Sequence, residues 1–297
     1  MKTVLLWLQR LFLLFSIAFL IYVFVQNRRD IVEVFSAVSM SGIVLGMGFW
    51  ILATLVIPLI ALTVLRDRGN TISYSTLLFI HLNRIPSKFL PGGVWQTVAR
   101  AYDMNSLGIS RRDISLVVLH ENSYSILLAA LISTLGIYLL DSNALYSKFA
   151  LALFIGSLLT IPTAFVFRKR SFILSISAYT KLTLVCACFW MAAMAAMAAF
   201  YSYMSSIPLI AASYKPLLMV VHYLFSYVVG FVSIFAPQGI GVFEVVVAEL
   251  ADLDMPFTQV VILVAGFRVL IFLSDIVSWA IYMLLRSTGK IGEIPTN

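Results

Sequence analysis

Residues 89–94, FLPGGV, and residues 235–240, FAPQGI, each interrupt a long apolar run with proline and glycine, 146 positions apart. A membrane helix ought to continue through such runs. Proline removes an amide donor and crowds the preceding turn, and glycine is a poor helix former. Non-helical backbone at membrane depth persists only where it is buried in protein or lines a wet cavity. The stretches that hold the two breaks, 71–102 and 217–252, are too long for loops and too broken for single helices. Each therefore reads as a re-entrant hairpin or a pair of half-helices packed within a helical bundle.

Composition places the chain in the bilayer. Of 297 residues, 62% are hydrophobic and 11% charged, with a mean hydropathy of +1.02. A soluble domain of this size carries about a quarter charged residues. The expected fold is an all-α integral membrane protein. Its apolar runs 4–26, 42–65, 114–140, 146–167, 182–204 and 260–285 suit crossings of roughly 30 Å. That makes six full transmembrane helices plus two re-entrant or broken-helix hairpins. The run ending at Gln26 lacks a small-x-small cleavage site before Asn27 and reads as an uncleaved first span.

The net charge of +7 sits in short connections between apolar runs, so it reports topology and not a nucleic-acid partner. With the N-terminus in the cytoplasm and each break returning to its own side, fifteen Lys and Arg fall inside. Only Arg28, Arg29, Lys148 and Lys215 fall outside, where Asp252 and Asp254 also lie. The expectation is a multi-pass bacterial-type cytoplasmic membrane protein with both termini inside.

A shift of 146 aligns more than the breaks. Leu107–Ser110 falls on Leu253–Pro256, placing a capping hydroxyl and a proline near helix starts. Glu121 falls on Phe267, one position before Arg268. Each half, 1–145 and 146–297, reads as two spans, a broken hairpin and one span. Three crossings per half is odd, so the second half is inverted within a single polytopic domain. Inverted repeats whose discontinuous helices meet near the midplane are a transporter plan; duplication with mere packing kinks is the other reading.

The run NRIPSKFLPGGVWQTVARAYDMNSLGISRRDISLVVLHEN (83–122), with FAPQGIGVFEVVVAEL (235–250) and Arg268, resembles the transmembrane region of the lysylphosphatidylglycerol synthase/flippase family. The more specific mark is proline-x-glycine-x-glycine-valine-x-glutamate, matched by Pro237, Gly239, Gly241, Val242 and Glu244. The resemblance spans nearly the whole chain. It implies a flippase or flippase-like protein acting on lipids. No synthase domain is expected after the last span, so aminoacylation is not carried over. Asn122 stands where an arginine is common in the family, so the resemblance supplies no charge partner for Glu121.

Charges inside the membrane are costly and mark candidate sites. Glu121 is expected to face the bundle interior, as a headgroup contact, a proton site or an ion-pair partner. A helical step of 100° turns the neighbouring His120 to another face. Arg268 and Asp275, two turns apart on one face of the last span, suit either a path for anionic headgroups or structural pairs. Free amides at helix starts after Pro91, Gly92 and Gly93, and after Gly239 and Gly241, favour an anion. Arg84, Lys88 and Arg100 flank the first break and are placed to draw a lipid phosphate, or serve only the positive-inside bias. Glu244 follows the second break as a capping acid, or as a contact for a cationic headgroup or a proton.

Other features carry less. His81, His120 and His222 lack metal-ligand spacing, Cys186 and Cys188 read as packing residues, and no phosphate-binding loop for ATP is present. Gly42–Gly46 and Met191–Ala199 are small-residue faces for close helix packing. Trp7, Trp50 and Trp279 read as interface belts. The function expected is a lipid flippase or flippase-like transporter for an anionic phospholipid or polyprenyl-phosphate-linked lipid, with no cofactor and no catalysis. Its partners are the bilayer and that lipid, with a homo-oligomer or envelope-synthesis proteins as further possibilities. The alternatives are a membrane enzyme modifying headgroups and a non-transporting subunit of an envelope-synthesis complex.

Overall fold

Serines open and glycines close several helices in a computed structural model of the chain, which describes residues 39–89, 94–141, 143–167, 173–202, 216–232, 242–250 and 257–288. The elements are α1 (Met40–Asp67), α2 (Tyr74–Asn83), a 3₁₀ turn (Ile85–Phe89), α3 (Trp95–Ser106) and α4 (Arg111–Leu140). They continue with α5 (Ala144–Phe167), α6 (Ile176–Ser202), α7 (Pro216–Val232), α8 (Val242–Leu250) and α9 (Phe257–Ser287). The expected first span, the break residues Pro91, Gly92, Gly93, Pro237, Gly239 and Gly241, and Asp252, Asp254 and Pro256 lie outside the described residues.

Among the described residues, four helical stretches are long and apolar enough to cross a membrane: α1, α4, Ile176–Tyr201 of α6 and Leu263–Ser287 of α9. The 28 residues of α1 extend ~42 Å at 1.5 Å per residue. Shorter apolar stretches, Ser147–Ser157 and Leu217–Val232, lie in α5 and α7. The chain is a multi-span, all-α membrane protein. The stretch 71–102 becomes α2, the 3₁₀ turn and the start of α3, and 217–252 becomes α7 and α8. Helices α2, α3 and α8 have 10, 12 and 9 residues, each about half of what a crossing requires.

Local chemistry accounts for many of the ends. Ser39, Ser73 and Ser110 are N-caps whose hydroxyls accept from Gly42, Thr76 and Asp113 amides. Ser175 does the same for the Ala178 amide at the start of α6, which begins six residues before the apolar run at 182. Helices α1 and α3 end alike. Gly69 and Gly108 adopt φ of 83° and 82°, a conformation cheap only for glycine. The Gly69 and Asn70 amides then donate to Arg66 and Leu65 carbonyls, as Gly108 and Ile109 do to Asn105 and Met104. This double closure satisfies carbonyls that the last turn leaves open.

Packing follows the small residues. Helix α1 lies along α6, and Gly46 faces the Ala196 carbonyl and Leu270; a Cβ there would stand 3.0 Å from Leu270 Cδ1. Ala193 and Ala196 are fully buried, so both small-residue faces serve close approach. One core lies where Phe200, Tyr201, Tyr223, Phe243 and Phe267 meet. A second gathers Leu65, Leu77, Met104, Leu116 and Leu182. Helix α9 touches α1, α2, the 3₁₀ turn and α8, which puts one element in reach of the segments beside both breaks.

Candidate functional site

The residues beside the breaks hold their charges in pairs. On the segment before the first break, Lys88 Nζ donates to Asp275 Oδ2 of α9 at 2.8 Å. The same carboxylate accepts from Trp50 Nε1 of α1 at 3.3 Å. The Lys88 ammonium also lies 5.8 Å from the Trp50 ring centroid and 5.9 Å from that of Phe89, within the range of cation–π attraction. Asp275 is 3% exposed, so its charge is held by these donors and not by water.

Helix α3 restarts the chain after the first break at Trp95, with Val94 as its N-cap residue. Its buried face carries Arg100 and Asp103, one turn apart. Arg100 Nη1 donates to Glu121 Oε1 of α4 at 2.7 Å, the ion-pair role among the three that the sequence leaves open for Glu121. Asp103 is gripped from the other side by Arg84, through Nε at 2.7 Å and Nη2 at 2.6 Å. Such a bidentate fork is the strong form of this contact. Asn122 turns to its own helix and donates to the Val118 carbonyl. His120 faces elsewhere, bonding the Leu116 carbonyl and lying near the Tyr179 hydroxyl.

The second break repeats the pairing with its polarity reversed. Helix α8 begins at Val242 with Glu244 in its first turn, and Arg268 Nη1 lies 3.1 Å from Glu244 Oε1. The Arg268 guanidinium stacks 4.7 Å from the Phe243 ring centroid. After each break, a short helix thus joins the long helix that follows it by one ion pair. Shifted by 146, Arg100 and Glu121 fall on 246 and 267, within two positions of Glu244 and Arg268. The cation stands on the short helix in the first half and on the long helix in the second.

Arg268 and Asp275 do not pair with each other. Two turns apart on α9, they hold Glu244, beside the second break, and Lys88, beside the first. The seven charged residues singled out in the sequence therefore enter four ion pairs, with Asp103 as the one member not anticipated. Its signal was its spacing, three residues after Arg100 on one helical face. Trp50 also departs from its expected place in an interface belt, since its indole anchors Asp275. Among the described residues, no three His, Cys, Asp or Glu side chains converge as a metal-binding set.

A further buried polar group lies in this cluster. His81 of α2 is 4% exposed, and its Nδ1 has no hydrogen-bond partner among the described residues. The chain matches no protein-family model, and no curated protein matches it.

Proposed function

We propose that this chain is a lipid flippase or flippase-like transporter, carrying an anionic phospholipid or polyprenyl-phosphate-linked lipid across the cytoplasmic membrane. The observation that supports this reading best is the pairing at the two breaks, Arg100 with Glu121 and Glu244 with Arg268. Each pair has one buried member, Arg100 in the first and Glu244 in the second; ion pairs withdrawn from water are costly to assemble and weak as stabilisers, so two of them at matching places suit a site whose charges exchange partners. Helix α9 touches both places, which suits alternation between them.

In this reading six crossings and two broken hairpins form an inverted repeat, the termini face the cytoplasm, and the site carries no catalytic group. The family resemblance supports the same substrate class. Lipid movement then draws on a gradient, exchange or removal of product.

The test is reconstitution of the full chain in liposomes with labelled phosphatidylglycerol or a labelled polyprenyl-phosphate sugar. Wild-type vesicles should move the lipid between leaflets, and Glu121→Gln, Glu244→Gln and Arg268→Ala should slow it. Folded protein that moves none of these lipids contradicts transport. A chemically altered lipid in the mass spectrum favours a headgroup-modifying enzyme instead.

A further inference from the structure

Two titratable side chains stand apart from the pairs beside the breaks and meet where α4 ends. His222 of α7 is 1% exposed, and its Nε2 lies 3.3 Å from Oδ2 of Asp141, the residue that caps α4. Asp141 is fixed by further bonds. Its amide donates to the Ile137 carbonyl, its Oδ1 accepts from the Asn143 amide, and its carbonyl accepts from the Ser147 hydroxyl. One residue before His222, Val221 crowds Gly136 and packs with Ile137 of α4 and Ala150 of α5. One residue after it, the Tyr223 ring meets Phe243 at 4.4 Å and Phe267 at 5.2 Å, the neighbours of Glu244 and Arg268. The same turn of α7 thus touches the end of α4 and the ion pair that joins α8 to α9.

An ionised carboxylate only accepts, so Nε2 carries the hydrogen of the neutral ring and Nδ1 is left to take the next proton. Protonation there puts a positive charge on a ring withdrawn from water. Asp141 attracts that charge, yet a buried ion pair offsets its desolvation only with excellent geometry, and 3.3 Å is longer than the usual N–H···O distance. The other ionisable groups on the surrounding elements are exposed, paired or uncharged. Helix α4 brings Tyr138 and α5 brings Lys148, both exposed. Helix α8 brings Glu244, which Arg268 neutralises, and Glu249, which is exposed. Helix α6 brings Tyr201, 6.5 Å from Tyr223 ring to ring, with Lys181 near its opposite end, and α7 itself carries Tyr223 and Tyr227. The close contact at Gly136 leaves α4 and α7 no slack to rearrange around a charged ring.

We propose that His222 and Asp141 form an acid-released latch: the neutral imidazole holds α7 against the end of α4, and its protonation lets α7 part from α4 and loosens the seat of Tyr223 on Phe243. Only an N–H bond forms, the proton coming from water, and the latch does not depend on what the protein carries. The open arrangement solvates the imidazolium. It therefore gains on the closed one as the pH falls through about 6.5, the range of a solvated histidine, and the latch holds at higher pH. In the orientation proposed for the chain, α4 ends at the outer face, so external acidity is what the latch reads.

The test is backbone hydrogen exchange of the purified full chain in a non-ionic detergent, read by mass spectrometry and corrected for the intrinsic pH dependence of amide exchange. In wild type, protection of α7 and α8 should fall about tenfold between about pH 8 and about pH 5.5, as linkage to one proton allows, while α1 keeps its protection. His222→Gln retains an N–H for Asp141 and takes no charge, so its α7 protection should not change with pH. Asp141→Asn keeps an acceptor for Nε2 and removes the charge that eases protonation of the closed state, so its acid loss should be at least as large as in wild type. Wild-type protection that stays constant or rises on acidification overturns the latch. A loss shared equally by α1 is global unfolding and overturns it as well. Undiminished acid loss in His222→Gln assigns the proton elsewhere and overturns the role of His222. Acid loss that vanishes in Asp141→Asn makes the carboxylate the titrating group and also overturns it, a comparison that stands even where His222→Gln does not fold.

Discussion

Lys88 and Asp275 stand 187 residues apart in sequence, and a 2.8 Å ion pair joins them. Through it the segment before the first break is fastened to the last helix, which also holds Glu244 beside the second. Asp275 is the buried member and Lys88 the partly exposed one, with side-chain exposures of 4% and 35%. Removing the lysine therefore hurts more than removing the acid. Lys88→Met leaves an uncompensated buried carboxylate, a loss of about 3–5 kcal/mol, and Asp275→Asn should cost less. Thermal unfolding in detergent should show the double variant Lys88→Met/Asp275→Asn recovering part of the loss. Strictly additive losses would contradict the pair.

The two break pairs differ in polarity, so charge exchange is a direct probe. Arg100→Glu and Glu121→Arg should each destabilise alone and partly rescue one another, with a coupling of about 1–3 kcal/mol. The same exchange at Glu244 and Arg268 should behave alike in a double-mutant cycle. Lipid movement should follow only where the exchanged pair reforms.

Helix α4 meets α7 without room for a side chain at Gly136. A Cβ there would lie 2.8 Å from Val221 Cγ2 and 2.9 Å from its Cγ1. Gly136→Ala should cost about 1–3 kcal/mol, and Val221→Ala should relieve it. Gly48→Ala on α1, which meets nothing within 4 Å, should be neutral or gain stability, since alanine favours the helix by about 1 kcal/mol. Melting temperatures of the three variants and the double variant check this.

Ser110 caps α4 by accepting from the Asp113 amide at 3.1 Å and donating to Asp113 Oδ2 at 2.9 Å. Asp113 in turn accepts from Arg68 and Asn70 of the α1 end. Ser110→Ala should therefore lose about 1 kcal/mol, read as a lowered unfolding midpoint, and Ser110→Thr should lose less, because its hydroxyl can still accept from the Asp113 amide and donate to the Asp113 carboxylate.

Topology has its own measurement. Cysteines introduced at Thr71 and Asp254 should react with a membrane-impermeant maleimide from opposite faces of the cell membrane, Thr71 from the cytoplasm. Labelling of both from one side would break the inverted arrangement. Thr71 is preferred to Gly69, whose positive φ resists a side chain.

Much of this protein is dictated locally. Apolar runs long enough to cross a bilayer, serines before helices and glycines after them are properties of neighbouring residues, so helix existence and the restarts near Val94 and Val242 could be read directly. Glu121 and Arg268 were conspicuous for the same reason, as charges set among apolar neighbours. Their partners were not legible. An ion pair depends on which helix faces meet, and α9 meets α1, α2 and α8 only after the chain has folded back on itself. Hence periodicity groups Asp275 with Arg268, whereas the tertiary structure gives it to Lys88 and Trp50 and gives Arg268 to Glu244. Asp103 gains significance only from the Arg84 guanidinium packed against it. Local sequence makes this a helical membrane chain with charges beside two proline-glycine interruptions; the packing of α9 against the segments beside both decides which charges answer each other, because long-range electrostatic partners are set by distance in space and not along the chain.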